Sequence, residues 1–447
     1  MEKKYFGTDG IRGRVGQSSM TPTFVMQLGW AIGQILSQQN KKKVLIGKDT
    51  RSSGCLLETA IQAGLSAAGI DTYTAGVMPT PVVAYLTRTM HFDAGIMLSA
   101  SHNAYVDNGI KIFSEYGYKL TDADEVAIEQ MLEKNLTVVD AQALGQSFVM
   151  ENVTEHYIKF CKKIIPKNIC FKDLKVVLDC ANGAAFMLAP TIFTALGMHV
   201  ISINNQPDGI NINTQCGSTC PTMLQEAVKK NNADLGIAFD GDADRVIMVD
   251  ENGDIVDGDE LLFIIAYHQT LNKKLQGGVV GTQMTNLGME HAFAKYNIPF
   301  TRSKVGDRYV LEKLHTNNWQ LGGEASGHIL HLAFGTTGDG IVSALLVLWA
   351  LKATQMSLAT YKKQMKKYPQ CMINVPISTQ INSQQQTKID AAVRQVEDSL
   401  ANTGRVLLRP SGTEPLLRVM VESQCMDVTN KLTRELAETV QSIVSKV

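Results

Sequence analysis

Neither sign of charge dominates this chain. Its 42 lysines and arginines nearly cancel its 43 aspartates and glutamates, and the isoelectric point lies near 6.8. Without a basic excess there is no whole-protein footprint for nucleic acid, so no such partner is expected. Anion binding has to be built locally, from a few placed arginines and backbone amides. Long hydrophobic runs are missing too. The longest, roughly residues 341–351, is too short to span a bilayer and suits a buried helix, so no membrane partner is expected. The opening Met1-Glu2-Lys3-Lys4-Tyr5-Phe6-Gly7 holds no apolar stretch of the signal-peptide kind. Eight cysteines are scattered without disulfide-framework spacing, which points to a reducing, cytoplasmic setting. Cys216 and Cys220 lie four apart with no second close pair, and they read as free thiols rather than a zinc site.

Several catalytic signatures are also absent. No Gly-x-Ser-x-Gly elbow surrounds Ser101, which argues against an acyl-transfer serine. There is no Gly-x4-Gly-Lys-Ser/Thr phosphate loop. The Asp240, Asp242, Asp244 spacing resembles the start of an EF-hand, but the sixth position holds Arg245 where a calcium loop needs glycine.

What is present is a repeating pattern. A chain of 447 residues has room for about three or four domains. Lys43-Val44-Leu45-Ile46-Gly47, Lys175-Val176-Val177-Leu178-Asp179 and Gly278-Val279-Val280-Gly281 are short apolar strands. Each is followed by a loop, a helical stretch and a further apolar strand, at 71–75, 199–203 and 299–303. Continuous apolar strands alternating with helices predict parallel sheets with crossover helices. The last part differs: strand 372–377, polar helix 384–400, strands 404–409 and 416–422, then a helix to the end. The fold expected is therefore α/β: three related α/β domains with mixed, mostly parallel sheets, plus a C-terminal α+β domain. Boundaries are placed near 155, 255 and 368, giving domains 1–155, 156–255, 256–368 and 369–447.

Four segments carry chemistry. Ile96-Met97-Leu98-Ser99-Ala100-Ser101-His102-Asn103 reads as a buried strand ending in a loop that presents the Ser101 hydroxyl, with Lys111 close behind in sequence. A serine is a poor nucleophile unless activated or carried as a pre-formed phosphoester. Asp240-Gly241-Asp242-Ala243-Asp244-Arg245 follows an apolar strand, at the end where open α/β sheets gather their sites. Three carboxylates so close repel one another unless a cation neutralises them. Oxygen ligands with few extras suit Mg²⁺, a phosphate oxygen and water completing the shell. Gly322-Gly323-Glu324-Ala325-Ser326-Gly327-His328 packs a carboxylate, a hydroxyl and an imidazole between glycines, and Glu324 and Ser326 are candidates for vicinal sugar hydroxyls. Arg409-Pro410-Ser411-Gly412-Thr413-Glu414-Pro415, with Arg418 beyond, is a candidate phosphate cradle, since guanidinium forks match phosphate geometry. Gly7-Thr8-Asp9-Gly10-Ile11-Arg12-Gly13 is a glycine-rich loop with one arginine. Lys48-Asp49-Thr50-Arg51 and Val305-Gly306-Asp307-Arg308 carry weaker signals, fitting a cleft lining or plain decoration.

In this order the segments closely resemble the α-D-phosphohexomutase superfamily, from Tyr5 to the C-terminal helix. Residues 5–13, and Gly209-Ile210-Asn211-Ile212-Asn213 running into Cys216-Gly217-Ser218-Thr219, are similar to the branch that acts on glucosamine phosphates. The resemblance implies four domains around one central cleft. It implies an isomerase interconverting glucosamine 6-phosphate and glucosamine 1-phosphate through glucosamine 1,6-bisphosphate, with such a bisphosphate as activator. Ser101 is then the phosphoserine, and Ser101, Asp240, Asp242 and Asp244 the Mg²⁺ set. Glu324 and Ser326 bind the sugar, and Arg409, Ser411, Gly412, Thr413 and Arg418 the non-reacting phosphate. Arg12, His102, Lys111, Arg245 and His328 line the reacting one. A monomer or homodimer is expected. Ala104, Ala325 and Cys220 stand where members of the superfamily usually carry proline, glutamine and histidine. A mannose/glucose mutase and a catalytically lapsed sugar-phosphate sensor stay open as alternatives.

Overall fold

Uninterrupted apolar strands need cover on both faces, and crossover helices supply it. The computed structural model, which describes residues 3–377, 381–410 and 415–445, contains three such layered units in succession. In the first, Lys43–Lys48 pairs in parallel with Asp71–Val77 and Ala94–Leu98, and Ser147–Val149 extends the edge. In the second, Lys175–Asp179 lies in parallel between His199–Ile203 and Leu235–Phe239. In the third, Val279–Thr282 lies in parallel between Phe300–Ser303 and Leu321–Gly323.

Each sheet then reverses. Ala94–Leu98 pairs antiparallel with Asp107–Ser114, Leu235–Phe239 with Val246–Asp250, and Leu321–Gly323 with Ile329–His331. An antiparallel neighbour needs no crossover, so a short loop at the carboxyl end of the parallel strand makes the connection. Those three loops hold Ser101, the three aspartates, and Glu324 with His328. The C-terminal unit is a three-stranded antiparallel sheet in the order Gln370–Pro376, Leu416–Ser423, Gly404–Pro410. Helices Ser383–Leu400 and Met426–Val444 pack on it. Its hairpin connection is the fourth expected site segment, of which 411–414 lie outside the described residues.

The apolar run noted in the sequence becomes helix Gly340–Thr354, buried on all sides and packed against helices Val153–Ile164 and Gly258–Leu271. Asp339 caps it by accepting from Val342 N at 3.0 Å. Gly340 N donates to Ala243 O at 3.0 Å, which seats the helix on the aspartate-bearing loop. The limits expected at 155 and 255 fall inside helix Val153–Ile164 and strand Ile255–Val256. Close beside them lie Asn152, in a left-handed backbone conformation before the helix, and Asp257, which caps helix Gly258–Leu271, and we propose the boundaries there.

Buried polar groups join the third unit to the C-terminal sheet. Glu422 accepts from Leu287 N and from Arg405 Nε, both at 2.7 Å. Next to this contact, Asp259 accepts from Asn286 N at 2.8 Å through one carboxylate oxygen, while the other is buried without a partner. Burial, reinforced by Asp257, pushes the Asp259 carboxyl from 3.8 up to about 7. A raised acid binds its proton more tightly when folded, so its contribution is complete below 3.8 and lost as pH rises through about 7. Asp259→Asn fixes the neutral form. The melting temperature of this variant, taken relative to wild type, should climb between those two pH values; a constant difference would contradict the assignment.

Candidate active site

Ser101 occupies a backbone position that a serine rarely takes. Its φ of 52° is left-handed, and its residue is 1% exposed. The Ser101 amide donates to Ser99 Oγ at 2.9 Å, and Ser99 Oγ donates to Asp49 Oδ2 at 2.6 Å. Thus fixed, the Ser101 hydroxyl crosses to the second unit and donates to Asp240 Oδ2 at 2.6 Å. Gly241 lets the two loops meet, since a Cβ there would lie 2.6 Å from Ser101 O. Asn213, from the segment singled out in the sequence, donates to Ser101 O and Asn103 O at 2.9 and 3.0 Å.

The three aspartates are buried, with one oxygen of each within 4.8 Å of the others. Lys111, itself 1% exposed, places Nζ 2.8 Å from Asp242 Oδ2, 2.7 Å from Asp244 Oδ2 and 3.2 Å from Asp9 Oδ2. Burial opposes its charge, but those carboxylates outweigh burial and hold Lys111 well above the usual lysine value. Asp240, which Lys111 does not touch, goes the other way: burial, then Asp244 and Asp242, raise it well above the ordinary range. Thr80 Oγ1 donates to Asp242 Oδ2 at 2.5 Å. Two buried oxygens, Asp242 Oδ1 and Asp244 Oδ1, have no hydrogen-bond partner. Asp244 Oδ1 has only the longer ion-pair contacts of His328 and Arg245, at 3.5 and 3.9 Å, and hard anionic oxygens without hydrogen bonds at a cluster of this size fit a small divalent cation.

The loop with Glu324 closes the other side. Val246 N donates to Gly327 O at 3.1 Å, and a Cβ at Gly327 would fall 2.0 Å from Val246 O, so only glycine allows this approach. Glu324 Oε1 accepts from Gly306 N at 3.0 Å, while Ser326 is exposed at the loop tip. His328 stands between Asp244 at 3.5 Å and Asp307 at 3.4 Å. Burial disfavours an imidazolium there, yet the two carboxylates win and raise His328 to about 10. His102 has the opposite surroundings. Burial, then Arg245 and Arg12, lower it to about 4, leaving a neutral imidazole whose Nδ1 is 3.3 Å from Ser101 Oγ.

Beside these groups lies a cleft of about 360 Å³ lined by Arg12, Asp244, Arg245, Glu324 and His328, together with Tyr5, the segment from Gly7 to Gly10, Gly306 and Asp307. Of the expected residues, Arg12, Asp244, Arg245, Glu324 and His328 line this cleft; Ser101, Lys111, Asp240 and Asp242 are buried behind it, joined to it through hydrogen bonds and ion pairs, and His102 and Ser326 are not part of its lining. Arg409 and Arg418 face each other in register on the C-terminal sheet and are not part of that lining. Burial and Arg418 lower the Arg409 pKa, and the Nε of each arginine is buried without a hydrogen-bond partner, as are those of Arg12 and Arg245. Like charges opposed on neighbouring strands cost energy unless an anion joins them. Ser411, Gly412 and Thr413 lie outside the described residues. The weak Asp307 signal proves to be a cleft residue. Lys119, which bridges Asp9 and Asp307, and Thr80 were missed, because nothing local distinguishes a lone lysine or threonine that pairs across more than a hundred residues.

Removing the central cation tests this electrostatic arrangement. Lys111→Met strands buried carboxylates, and losing one partner of a buried pair costs ~3–5 kcal/mol. Urea unfolding in the presence of a chelator should show a loss of that order. An unchanged midpoint would mean the carboxylates are not ionised around Lys111.

Known proteins place this geometry. The chain matches four models of one family: phosphoglucomutase/phosphomannomutase alpha/beta/alpha domains I, II and III at residues 3–138, 155–253 and 257–368, and its C-terminal domain at 372–439. It is 53% identical over 440 residues to the phosphoglucosamine mutase of Nitrosococcus oceani, covering 98% of each chain. It is 52% identical over 443 residues to that of Ectopseudomonas mendocina, covering 99% of this chain and 100% of the other. Its fold matches that of a phosphoglucomutase/phosphomannomutase family protein from Burkholderia thailandensis with a TM-score of 0.82 at 22% identity, over 98% and 97% of the two chains. With all four domain models matched in order and relatives similar over nearly the full length, the chain belongs to the phosphoglucomutase/phosphomannomutase family of the α-D-phosphohexomutase superfamily.

Proposed function

We propose that the protein acts as a phosphoglucosamine mutase, interconverting glucosamine 6-phosphate and glucosamine 1-phosphate on the route to UDP-N-acetylglucosamine. One observation carries the chemistry: a buried serine hydroxyl, held in a left-handed loop, points at a three-aspartate cluster ringed by cations. The named activity of relatives above 50% identity over nearly the whole chain supports the choice of sugar.

In this reading phospho-Ser101 gives its phosphoryl group to O1 or O6 of the sugar. The P–Oγ bond breaks, a new P–O bond forms, and the sugar hydroxyl loses its proton. Lys111, kept an ammonium by Asp242, Asp244 and Asp9, contributes positive charge beside the reacting phosphate, and His102, a neutral imidazole 3.3 Å from Ser101 Oγ, is the candidate to take up the proton. Asp240, Asp242 and Asp244 would hold Mg²⁺ with an oxygen of the phosphoserine. When bound, the ion supplies charge stabilisation for the transferring phosphoryl group. Arg12, Arg245 and the His328 imidazolium line the reacting phosphate, and Glu324 and Ser326 take the sugar hydroxyls. Arg409 and Arg418, with Ser411, Gly412 and Thr413, grip the phosphate that is not reacting. Glucosamine 1,6-bisphosphate then turns over in the cleft and returns its other phosphate to Ser101, so added bisphosphate acts as activator. The reading keeps the enzyme cytoplasmic, which its eight free cysteines suit, as a monomer or homodimer acting on small molecules.

A coupled assay on glucosamine 6-phosphate tests the function. Wild type should turn over with Mg²⁺, fall silent with EDTA, and prefer glucosamine over glucose and mannose phosphates in kcat/KM. Ser101→Ala should stay folded and lose several orders of magnitude in kcat, because water does not replace a covalent relay. A preference for mannose or glucose phosphate, or an active alanine variant, would overturn the assignment.

The cradle makes a separate prediction. Arg409→Lys keeps the charge but loses the bidentate fork. Bisphosphate should then escape before its second transfer, so the variant accumulates unphosphorylated Ser101 and added bisphosphate partly rescues it. A slow variant indifferent to bisphosphate, with Ser101 still phosphorylated, would give this loop another role.

A further inference from the structure

Behind the serine loop lies a guanidinium that none of these roles employs. Arg51 is 2% exposed, and all five of its N–H groups find acceptors. Nε donates to Asp49 Oδ2 at 2.9 Å. Nη1 donates to Ala104 O at 2.5 Å and Asp107 O at 3.1 Å. Nη2 donates to Ser101 O and Asn103 O, both at 2.9 Å. A buried cation is usually held by carboxylates. Here a single carboxylate orients it, and four main-chain carbonyls of one loop receive the rest.

Carbonyl dipoles that converge repel one another unless donors lie between them, and Arg51 supplies four such donors from one rigid charged group. The loop they belong to also contains the left-handed Ser101. Such strain costs ~1–3 kcal/mol and survives only where the surroundings over-determine it. Asp49 ties the two ends together, accepting from Arg51 Nε and from Ser99 Oγ, which in turn accepts the Ser101 amide. Asn213 grips two of the same carbonyls from the second unit. Position 104 is alanine, so hydrogen bonds rather than a proline ring restrain this loop.

We infer that Arg51 is a positioning residue for phosphoryl transfer, with Asn213 as its counterpart on the neighbouring unit. Its guanidinium gathers the loop carbonyls and so fixes the Ser101 backbone in the one conformation that aims Oγ at Asp240. The inference rests on the reading of Ser101 as phosphoryl carrier. Arg51 is buried and lies outside the cleft lining, with every donor committed to Asp49 and the loop, so its loss should act on the transfer step and leave sugar-phosphate binding alone.

Arg51→Lys retains the charge, but three donors on one atom cannot span four carbonyls. A misplacement of about 1 Å costs ~10²-fold, so kcat should fall by about that factor while KM for glucosamine 6-phosphate stays within about twofold. Loading of Ser101 from glucose 1,6-bisphosphate, followed by intact mass, should slow by a similar factor, since it is the same transfer run in the other direction. Free guanidinium should partly restore the kcat of Arg51→Ala, whereas methylammonium should not. Wild-type kcat in Arg51→Lys, or a loss borne by KM, overturns the inference. Should the Arg51 variants fail to fold, Asn213→Ala loosens the same carbonyls: a kcat-only loss supports the inference and unchanged kcat overturns it. A wild type that holds phosphoserine yet ignores glucosamine phosphates sinks the mutase reading instead, and the rate of phosphoserine loading still tests Arg51.

Discussion

The burial of Lys111 among Asp242, Asp244 and Asp9 is the constraint on which the rest depends. Three aspartates within five residues cannot stay ionised in a dry interior by themselves. The neutralising charge comes from the antiparallel strand Asp107–Ser114 of the preceding unit, so the first two units cannot be satisfied apart. The balance spreads outward. Asp9 is held down to about 2 against burial by Lys111 and Lys119, Lys119 reaches Asp307 of the third unit, and Asp307 shares His328 with Asp244. Alternating charges thus close a ring across three units. Asp242 Oδ1 and the Nε atoms of Arg12, Arg409 and Arg418 remain buried without a hydrogen-bond partner. A site with unmatched anions beside unmatched cations is prepared for a cation and a phosphate together.

The architecture repeats one device. In each α/β unit a buried parallel strand is followed by an antiparallel neighbour, and the loop that reverses the chain there carries the chemistry at the strand's carboxyl end. The C-terminal unit, although antiparallel throughout, again places its arginines on the two strands of a hairpin. A reversing loop is short, begins and ends in hydrogen-bonded strand, and so can hold strained backbone. Ser101 and Ala243 both sit at left-handed φ without being glycine. Glycine is kept for the points where one loop must touch the next, at Gly241 and Gly327. Splitting the serine and the arginine pair between different units suits a substrate with two phosphates, each of which has to visit both stations.

By itself the sequence determined what depends on neighbours along the chain. Apolar strands, helices and their order follow from local periodicity, and the aspartate cluster is legible because its three carboxylates are two residues apart behind an apolar strand. The Ser101 loop, the Glu324 loop and the arginine hairpin were readable for the same reason, as groups of unusual residues packed into a few positions. Tertiary structure decided the rest. Mixed sheets were expected, but a short apolar strand reads alike whether it pairs parallel or antiparallel, so which strands reverse was hidden. Thr80 meets Asp242, Lys119 meets Asp307 and Asn213 meets Ser101 across more than a hundred residues, with nothing nearby in sequence to mark them. Arg51 stood in a recognisable loop, but its use of four carbonyls depends on backbone atoms that every residue possesses. Side-chain identity records which charges the site requires; only the folded backbone fixes which of them meet, because hydrogen bonds and desolvation act over a few ångströms of space, whatever the separation along the chain.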